Sequence, residues 1–230
     1  VRLRLWWPWR SDSGAKMICQ ISKRAISLAM IAIPVVGCTG LLPGSDRKPP
    51  QLYEMKPEIA FSRDIPRIRA QLLVETPTAS SSLRSSRIAI KLQPGTLDYF
   101  ADSEWTDVST NLVQRLLIEA FDNSGKIPGV TREGGGLRID YMLKSDLREF
   151  QAKLFKGEQA SVDVRIHAQL VRWNDRDIVA SERFEASVPL QNRDIASIMK
   201  GFDLSLKLVL KKIVEWSLRR IHRDSEDRPL

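Results

Sequence analysis

The sequence contains little of the cysteine and histidine on which metal, redox and nucleophilic sites often depend. Two cysteines, Cys19 and Cys38, and two histidines, His167 and His222, occur in 230 residues. Cys19 falls in an N-terminal segment that we expect to be removed, and a lone Cys38 cannot close an internal disulfide. The histidines lie far apart, and no cysteine remains to join them as zinc ligands. H-E-x-x-H, C-x-x-C and G-x-S-x-G motifs are lacking, so the usual metalloprotease, redox and hydrolase chemistries have no carrier.

Phosphate-binding loops are lacking as well. The Gly125-Lys126 pair has no upstream glycine of the kind a Walker motif requires. The glycine triplet at 134–136 precedes a predicted strand, the reverse of a dinucleotide-binding turn, and we interpret it as a flexible loop. Carboxylate pairs such as Asp102 with Asp107 are typical of turns and helix caps. We therefore predict no enzyme activity, no cofactor and no metal.

The net charge of +8 is concentrated at the N-terminus. Residues 1–37 hold six basic residues and one acidic residue, so the rest of the chain carries only +3. Acidic and basic residues are interspersed there, without the basic footprint that phosphate contacts require. We therefore predict no nucleic-acid partner.

The segment from Met17 onwards has the parts of a signal peptide. The basic Lys23-Arg24 pair is followed by an uncharged, mostly apolar run over 25–36 and by Gly37. A twelve-residue run fits the hydrophobic region of a leader. It is too short for a transmembrane helix, which needs about 20 apolar residues, and Pro34 interrupts it.

The tetrapeptide Val35-Val36-Gly37-Cys38 resembles the bacterial lipobox, with valine where leucine is commoner at Val35. The resemblance implies cleavage before Cys38, a diacylglycerol on its sulfur and an acyl chain such as palmitate on its new amine. Several chains anchor firmly, since each buried methylene contributes roughly 0.8 kcal/mol. The alternatives are a free thiol or an uncut anchor. By the usual sorting rule, Thr39 favours the outer membrane.

We predict one soluble domain behind this anchor, since 43% apolar and 28% charged residues are typical of a globular chain. Gly, Pro and small polar residues without periodicity indicate a tether after the cysteine. The predicted organisation is an upstream extension outside the fold at 1–16, a lipoprotein signal peptide at 17–37, a tether at 38–51, a domain at 52–222 and a polar tail at 223–230.

Apolar alternation predicts a series of strands. A bulge near Arg148 or Glu149 would restore the phase of Phe150 in its strand, and Asn174-Asp175 supplies a turn between the last two strands, which form a hairpin. The strands are expected at 52–55, 70–75, 86–92, 97–101, 137–150, 162–170 and 184–188.

Two helices are predicted from apolar stripes at three- and four-residue spacing. The first starts at Asp102 or Ser103 and ends at Ser124, with Trp105 on its stripe. The second runs from about residue 194 to 220; core packing is the preferred interpretation of its stripe, and a coiled coil is the alternative. The order of elements predicts an α+β fold, a mixed or mostly antiparallel sheet with two main helices packed on one face.

Several segments together are similar to the ABC-type transport auxiliary lipoproteins, the PqiC-like components of MCE/ABC systems. These are the lipobox, LYEM, LLVETP, SRIAIKL, LDYFADSEWTD, LRIDYMLKSDLREFQA and IVASERFEASVPL, within about residues 38–217. The most specific part holds Tyr99 and Trp105, which become candidate partner or oligomer contacts.

The resemblance implies a periplasmic, lipid-anchored auxiliary protein without catalysis. Its implied partners are an MCE-domain protein and the permease and ATPase of an ABC transporter that moves lipids or other hydrophobic molecules, and it leaves room for a homo-oligomer. Two rivals remain: an assembly factor or scaffold for an outer-membrane complex, and a lipoprotein hydrolase.

Overall fold

A computed structural model describes residues 49–133, 136 and 138–227. Within them the chain forms nine strands and two α-helices. The strands are β1 Gln51–Tyr53, β2 Gln71–Val74, β3 Thr78–Ala79, β4 Arg87–Lys91, β5 Asp98–Trp105, β6 Gly129–Thr131, β7 Tyr141–Lys153, β8 Ser161–Arg172 and β9 Ile178–Pro189. The helices are α1 Ser109–Ser124, between β5 and β6, and α2 Ile195–Asp227, after β9.

The strand β7 organises the sheet. It pairs antiparallel with β8 along its whole length, and β8 pairs antiparallel with β9, as the predicted hairpin requires. The β7–β8 register shifts between Leu147 and Glu149, which confirms the predicted bulge. Because of this shift, Leu147 and Phe150 both point into the core and are 1% exposed.

The other side of β7 is shared by three short parallel strands, β2, β3 and β4. Beyond β2 lies β6, while β5 and then β1 lie beyond β4. The described residues thus form a nine-stranded mixed sheet with β9 at one edge and β1 and β6 at the other. This confirms the predicted α+β class.

Both helices contact each other and the same sheet, with α1 on β2 and β6 and α2 on β7, β8 and β9. The predicted stripe of α2 is buried: Phe202, Leu206, Val209 and Ile213 are fully inaccessible. Each such side chain contributes about 1.5–3 kcal/mol on burial, so the stripe is a core feature. The core-packing interpretation is therefore confirmed.

Gly201 allows α2 to approach the sheet closely. A Cβ atom at this position would lie 2.6 Å from Leu190 Cδ2 and 2.8 Å from Val162 Cγ2, closer than side chains normally pack. Gly201 therefore has a packing role in α2.

The predicted start of the first helix is wrong. Residues 102–105 belong to β5, which runs to Trp105 and pairs with β1 and β4, and α1 begins at Ser109. The Trp105 N–H donates to the Ser86 carbonyl oxygen at 2.7 Å, so the sheet takes up these backbone groups. The predicted end is confirmed: α1 stops at Ser124, and Gly125 adopts φ 61°.

The predicted end of the second helix, near residue 220, is also wrong. The helix α2 continues to Asp227, so residues 223–227 of the predicted polar tail are helical. Ile221 is fully buried, and the Asp224 carboxylate accepts hydrogen bonds from two other elements. These contacts stabilise turns whose local sequence indicates a solvated end.

Candidate interaction surfaces

The predicted lipid attachment site lies outside the described residues. This applies to Cys38 and to the recognition residues Val35, Val36 and Gly37. Acylation and cleavage therefore stay predictions.

Trp105 lies in the core. Its side chain is 1% exposed, and its ring centroid lies 5.6 Å from that of Phe150 and 5.0 Å from that of Phe202. These aromatic rings join β5, β7 and α2, and such pairs stabilise beyond their buried area. A partner cannot touch the Trp105 ring in this conformation, so the tryptophan acts as a core residue.

Tyr99 lies half-buried on β5. Its hydroxyl donates to the Ser82 carbonyl oxygen at 3.0 Å, and the Arg87 guanidinium carbon lies 3.8 Å from its ring centroid. The ring is therefore held in place by a hydrogen bond and a cation–π contact. Its predicted role in partner contact stays a prediction.

One face of strands β7–β9 points away from the helices, and we call it the open face. Asp163 lies on this face near the start of the middle strand β8. It is 4% exposed, ion-paired with Lys153 and accepts from Ser187 Oγ at 2.6 Å. Burial alone would raise the pKa of Asp163, but the Lys153 ammonium and neighbouring hydroxyls outweigh it and hold the pKa below its usual 3.8. Asp163 is thus a fixed negative charge at neutral pH.

A second charged group lies beside it on the open face. Arg165 contacts Glu149 at 3.3 Å and Glu185 at 2.9 Å, so one guanidinium links all three strands. Further along, His167 Nε2 lies 3.1 Å from Ser181 Oγ. The open face is thus an ordered surface of both charge signs.

The last turn of α2 is tied to the sheet by a partly buried carboxylate that sequence reasoning missed. Asp224 accepts from the Tyr141 hydroxyl at 2.8 Å and from Arg172 Nη2 at 2.5 Å. Burial and the Asp224 carboxylate raise the pKa of Tyr141 well above its usual 10, so its hydroxyl stays a donor. No local signal could have found a contact between residues 83 positions apart.

The edge strand β9 pairs with β8 on one side only in the described chain. The Leu190 N–H donates inward to the Ala160 carbonyl oxygen at 2.8 Å, whereas the Glu185 carbonyl accepts from Lys212 Nζ at 3.2 Å. The backbone N–H and C=O groups of successive residues point to opposite sides of a strand. Those of the odd-numbered residues from 181 to 187 therefore point to the free edge. Pro189, also odd, has no N–H to present there.

A groove of about 500 Å³ runs between β9 and α2. Phe184 and Trp216 meet edge-on at its base, with ring centroids 5.4 Å apart. The Trp216 indole N–H has no acceptor among the described residues. Glu182, Lys212 and other charged side chains line the rim.

Exposed large apolar side chains, the general candidates for lipid or partner contact, are few in the described part of the chain. Leu204 and Leu208 lie one turn apart on α2, with 46% and 40% of their surface exposed, and the others are scattered. Groups of three or more metal-ligating side chains do not occur among the described residues. None of their helices is long and apolar enough to cross a membrane.

These features define an α+β module with helices on one side of a mixed sheet, an ordered charged face on the other and one long unpaired edge. The accessible features of this module are surfaces for contact. The chain belongs to the family described as the ABC-type transport auxiliary lipoprotein component, whose pattern matches residues 53–214.

The chain is also similar to one relative and to solved structures. An uncharacterized protein from Bradyrhizobium diazoefficiens is 28% identical over 154 residues, 66% of this chain and 40% of the relative, so the chain spans well under half of that protein. The crystal structure of protein XCC0632 from Xanthomonas campestris, of family DUF330, has a TM-score of 0.72 and 27% identity, covering 76% of this chain and 99% of the other.

A second crystal structure, of an uncharacterized protein, has a TM-score of 0.54 and 13% identity, and covers 77% of this chain and 99% of the other. At this identity the likeness shows the fold alone.

Proposed function

We propose that the chain is a non-catalytic auxiliary lipoprotein of an MCE-associated ABC transport system. Lipid on Cys38 holds it on the periplasmic side of the envelope, at the outer membrane. Its domain contacts the MCE-domain protein and acts with the permease and the ATPase of the same system, which together move lipids or other hydrophobic molecules. The domain contributes contacts, and the ATPase supplies the energy of transport.

The observation that supports this proposal is the extent of the family match. Residues 53–214 include strands β2 to β9, α1 and most of α2, so the match covers the domain rather than one motif. The local geometry at Gly125-Lys126 agrees with a separate ATPase. Gly125 ends α1 in the left-handed conformation, whereas the lysine of a phosphate loop comes at the start of a helix.

We assign partner contact to the open face. Its charged side chains are held by one another, as Arg165 is by Glu149 and Glu185, so little side-chain freedom is lost when a partner binds. Charges of both signs in fixed positions favour a protein surface of complementary pattern over a uniformly anionic membrane.

The test is co-purification of the tagged, lipidated chain from solubilised envelopes. The native chain should retain the MCE-domain protein and both transporter subunits. Lys144→Glu with Arg148→Glu reverses two half-exposed charges on and beside the open face and should reduce their recovery several-fold. Lys200→Glu is the matched control, because Lys200 is exposed on α2, on the helix side of the sheet.

Two outcomes would contradict the proposal. Recovery of outer-membrane assembly proteins without transporter subunits would favour the scaffold alternative. Equal recovery with the double variant and with the control would leave transport in place but would exclude the open face as the contact.

The anchor is tested separately by mass spectrometry of the mature N-terminus. We expect Cys38 as the first residue, carrying two ester-linked chains on its thioether and one on its amine. Cys38→Ser should leave the leader uncut and add no lipid mass. An unmodified Cys38 thiol in the native chain would overturn the anchor.

A further inference from the structure

The free edge of β9 has a charge pattern that complements itself. Between residues 181 and 187 the odd-numbered backbone groups face outward, and the side chains of Arg183 and Glu185 lie on the open face, 61% and 54% exposed. Their contact with each other within the chain is long, at 3.8 Å. Glu185 also contacts Arg165 at 2.9 Å, yet both side chains remain more than half exposed to a strand added beside β9.

We propose that β9 pairs antiparallel with β9 of a second copy of this chain, across a two-fold axis at Phe184. In this register Arg183 of each copy lies opposite Glu185 of the other, and Ser181 opposite Ser187. The facing odd-numbered pairs would form about eight backbone hydrogen bonds, two for each pair. The contact is isologous, since the same strand supplies both halves.

Charge selects this register over its neighbours. Because successive side chains point to opposite faces, a different register keeps each side chain on its face only if each residue faces a position two residues away from its present partner. One such shift places Arg183 opposite Arg183 of the second copy, and the other places Glu185 opposite Glu185. Like charges directly opposite each other destabilise a strand pair, so both alternatives are disfavoured.

Charged edge strands usually prevent association with foreign strands. Here the same charges disfavour pairing with most other strands but favour pairing with β9 of a second copy, because each charge then meets its opposite. The other sheet edge cannot offer the same ladder, since β1 and β6 have three residues each. The strand β9, by contrast, has twelve residues.

Side chains on the helix side of β9 also match those of a second copy in charge. Glu182 has no ion pair among the described residues and lies on the rim of the groove between β9 and α2. In the proposed register it faces Ala186 of the second copy, next to Glu185, whose carbonyl binds Lys212 in each chain. The Lys212 ammonium of one copy therefore comes within reach of the Glu182 carboxylate of the other.

Disulfide trapping tests the register in the full-length chain. Two copies with different tags are produced together, one carrying Glu182→Cys and the other Ala186→Cys. These positions face each other in the proposed pair at about 4.5 Å between Cα atoms, within disulfide reach. Oxidation should yield a dimer containing both tags.

The matched controls carry the same cysteine in both copies. Like positions are offset by four residues, about 13 Å along the strands, which is beyond the 7 Å limit. Each control should therefore give at least tenfold less dimer than the mixed pair, and the native chain shows the background from its own cysteines. Equal trapping in all combinations, no dimer, or a disulfide to another protein would overturn the proposal.

Charge reversal supplies a test that needs no disulfide. Arg183→Glu alone and Glu185→Arg alone each place two like-charged pairs across the axis, so recovery of one tag with the other should fall several-fold. Mixing the two variants restores opposite charges at both pairs and should restore recovery. Unaltered recovery with Arg183→Glu, in a chain with a native circular dichroism spectrum, would contradict the contact.

Discussion

Asp163 shows how one buried charge can organise a polar surface. It is 4% exposed, yet it is ion-paired with Lys153 and accepts from two serine hydroxyls. A buried carboxylate without such partners would be protonated instead. The open face therefore depends on Asp163 being ionised.

Asp163→Asn should destabilise the domain by about 1–3 kcal/mol at pH 7, because the Lys153 ammonium loses its partner. The pKa of Asp163 is lower in the folded chain than its unfolded 3.8, so its contribution is present above about pH 3.8 and is lost as the pH falls below it. Urea unfolding at pH 7 and at a pH below 3.8 measures how the cost of Asp163→Asn changes. Glu58→Gln, at an exposed position without a described hydrogen bond, is the control. An equal cost at pH 7 and at low pH would contradict the prediction.

Residue roles were the least predictable part of the candidate site. Tyr99 and Trp105 were selected together from one motif, yet Tyr99 is half-buried and Trp105 is 1% exposed. Burial depends on what packs over a residue, and the rings that cover Trp105 come from residues 150 and 202. A motif of eleven residues contains none of this information.

At the scale of elements, the close approach of α2 to the sheet depends on Gly201. Alanine is favoured over glycine within a helix by about 1 kcal/mol. At this position, however, its methyl group would lie 2.6 Å from Leu190 and 2.8 Å from Val162, both in the core.

Gly201→Ala should therefore destabilise the domain by about 1–3 kcal/mol, the usual cost of overpacking. The measurement is the midpoint and slope of chemical unfolding. In a double-mutant cycle, Leu190→Ala removes the closest contact and should reduce the cost of Gly201→Ala. Lys200→Ala, one residue earlier on an exposed position, should change little. Stabilisation by Gly201→Ala would show that the helix can move away from the sheet.

Elements with strong alternation were predictable, and their ends were not. The β8–β9 hairpin and the β7 bulge follow from apolar side chains that return to one face. The start of α1 was misplaced because Trp105 and Val108 continue the three- and four-residue spacing of the helix by coincidence. The end of α2 was misplaced because Asp224 looks like a tail residue until Tyr141 and Arg172 are known to contact it.

At the scale of the whole molecule, β7 is the only described strand with long pairing on one side and three strands on the other. Amides in such a central strand exchange with solvent only when much of the fold opens. Short strands at the far edge can open alone. The domain should therefore show graded stability from β7 towards β1 and β6.

Hydrogen exchange followed by mass spectrometry should show the slowest exchange in peptides of β7 and β8. Among the strands, peptides containing β1 or β6 should exchange fastest. The β9 peptides report on the proposed pairing, because their outward amides gain partners only in the dimer. Their exchange should be slower in the native chain than in Arg183→Glu, with β7 unchanged as the internal control. Uniform exchange across all strands would contradict the graded stability.

The strand order itself could not be read from the sequence. Alternation indicates which residues form strands, but the position of β9 at an edge results from pairings between residues far apart in the chain. The candidate edge surface was therefore outside the reach of local pattern, although residues 184–188 of β9 are predicted as a strand.

The three-residue strand β1 has a mechanical consequence. It pairs with β5 through three positions, whereas β7 and β8 pair through twelve. Tension applied to the chain before residue 51 is carried first by this short ladder. Under load β1 would separate from β5 and release a few residues from the sheet, while the twelve-residue ladder and the helices packed on the sheet stay folded.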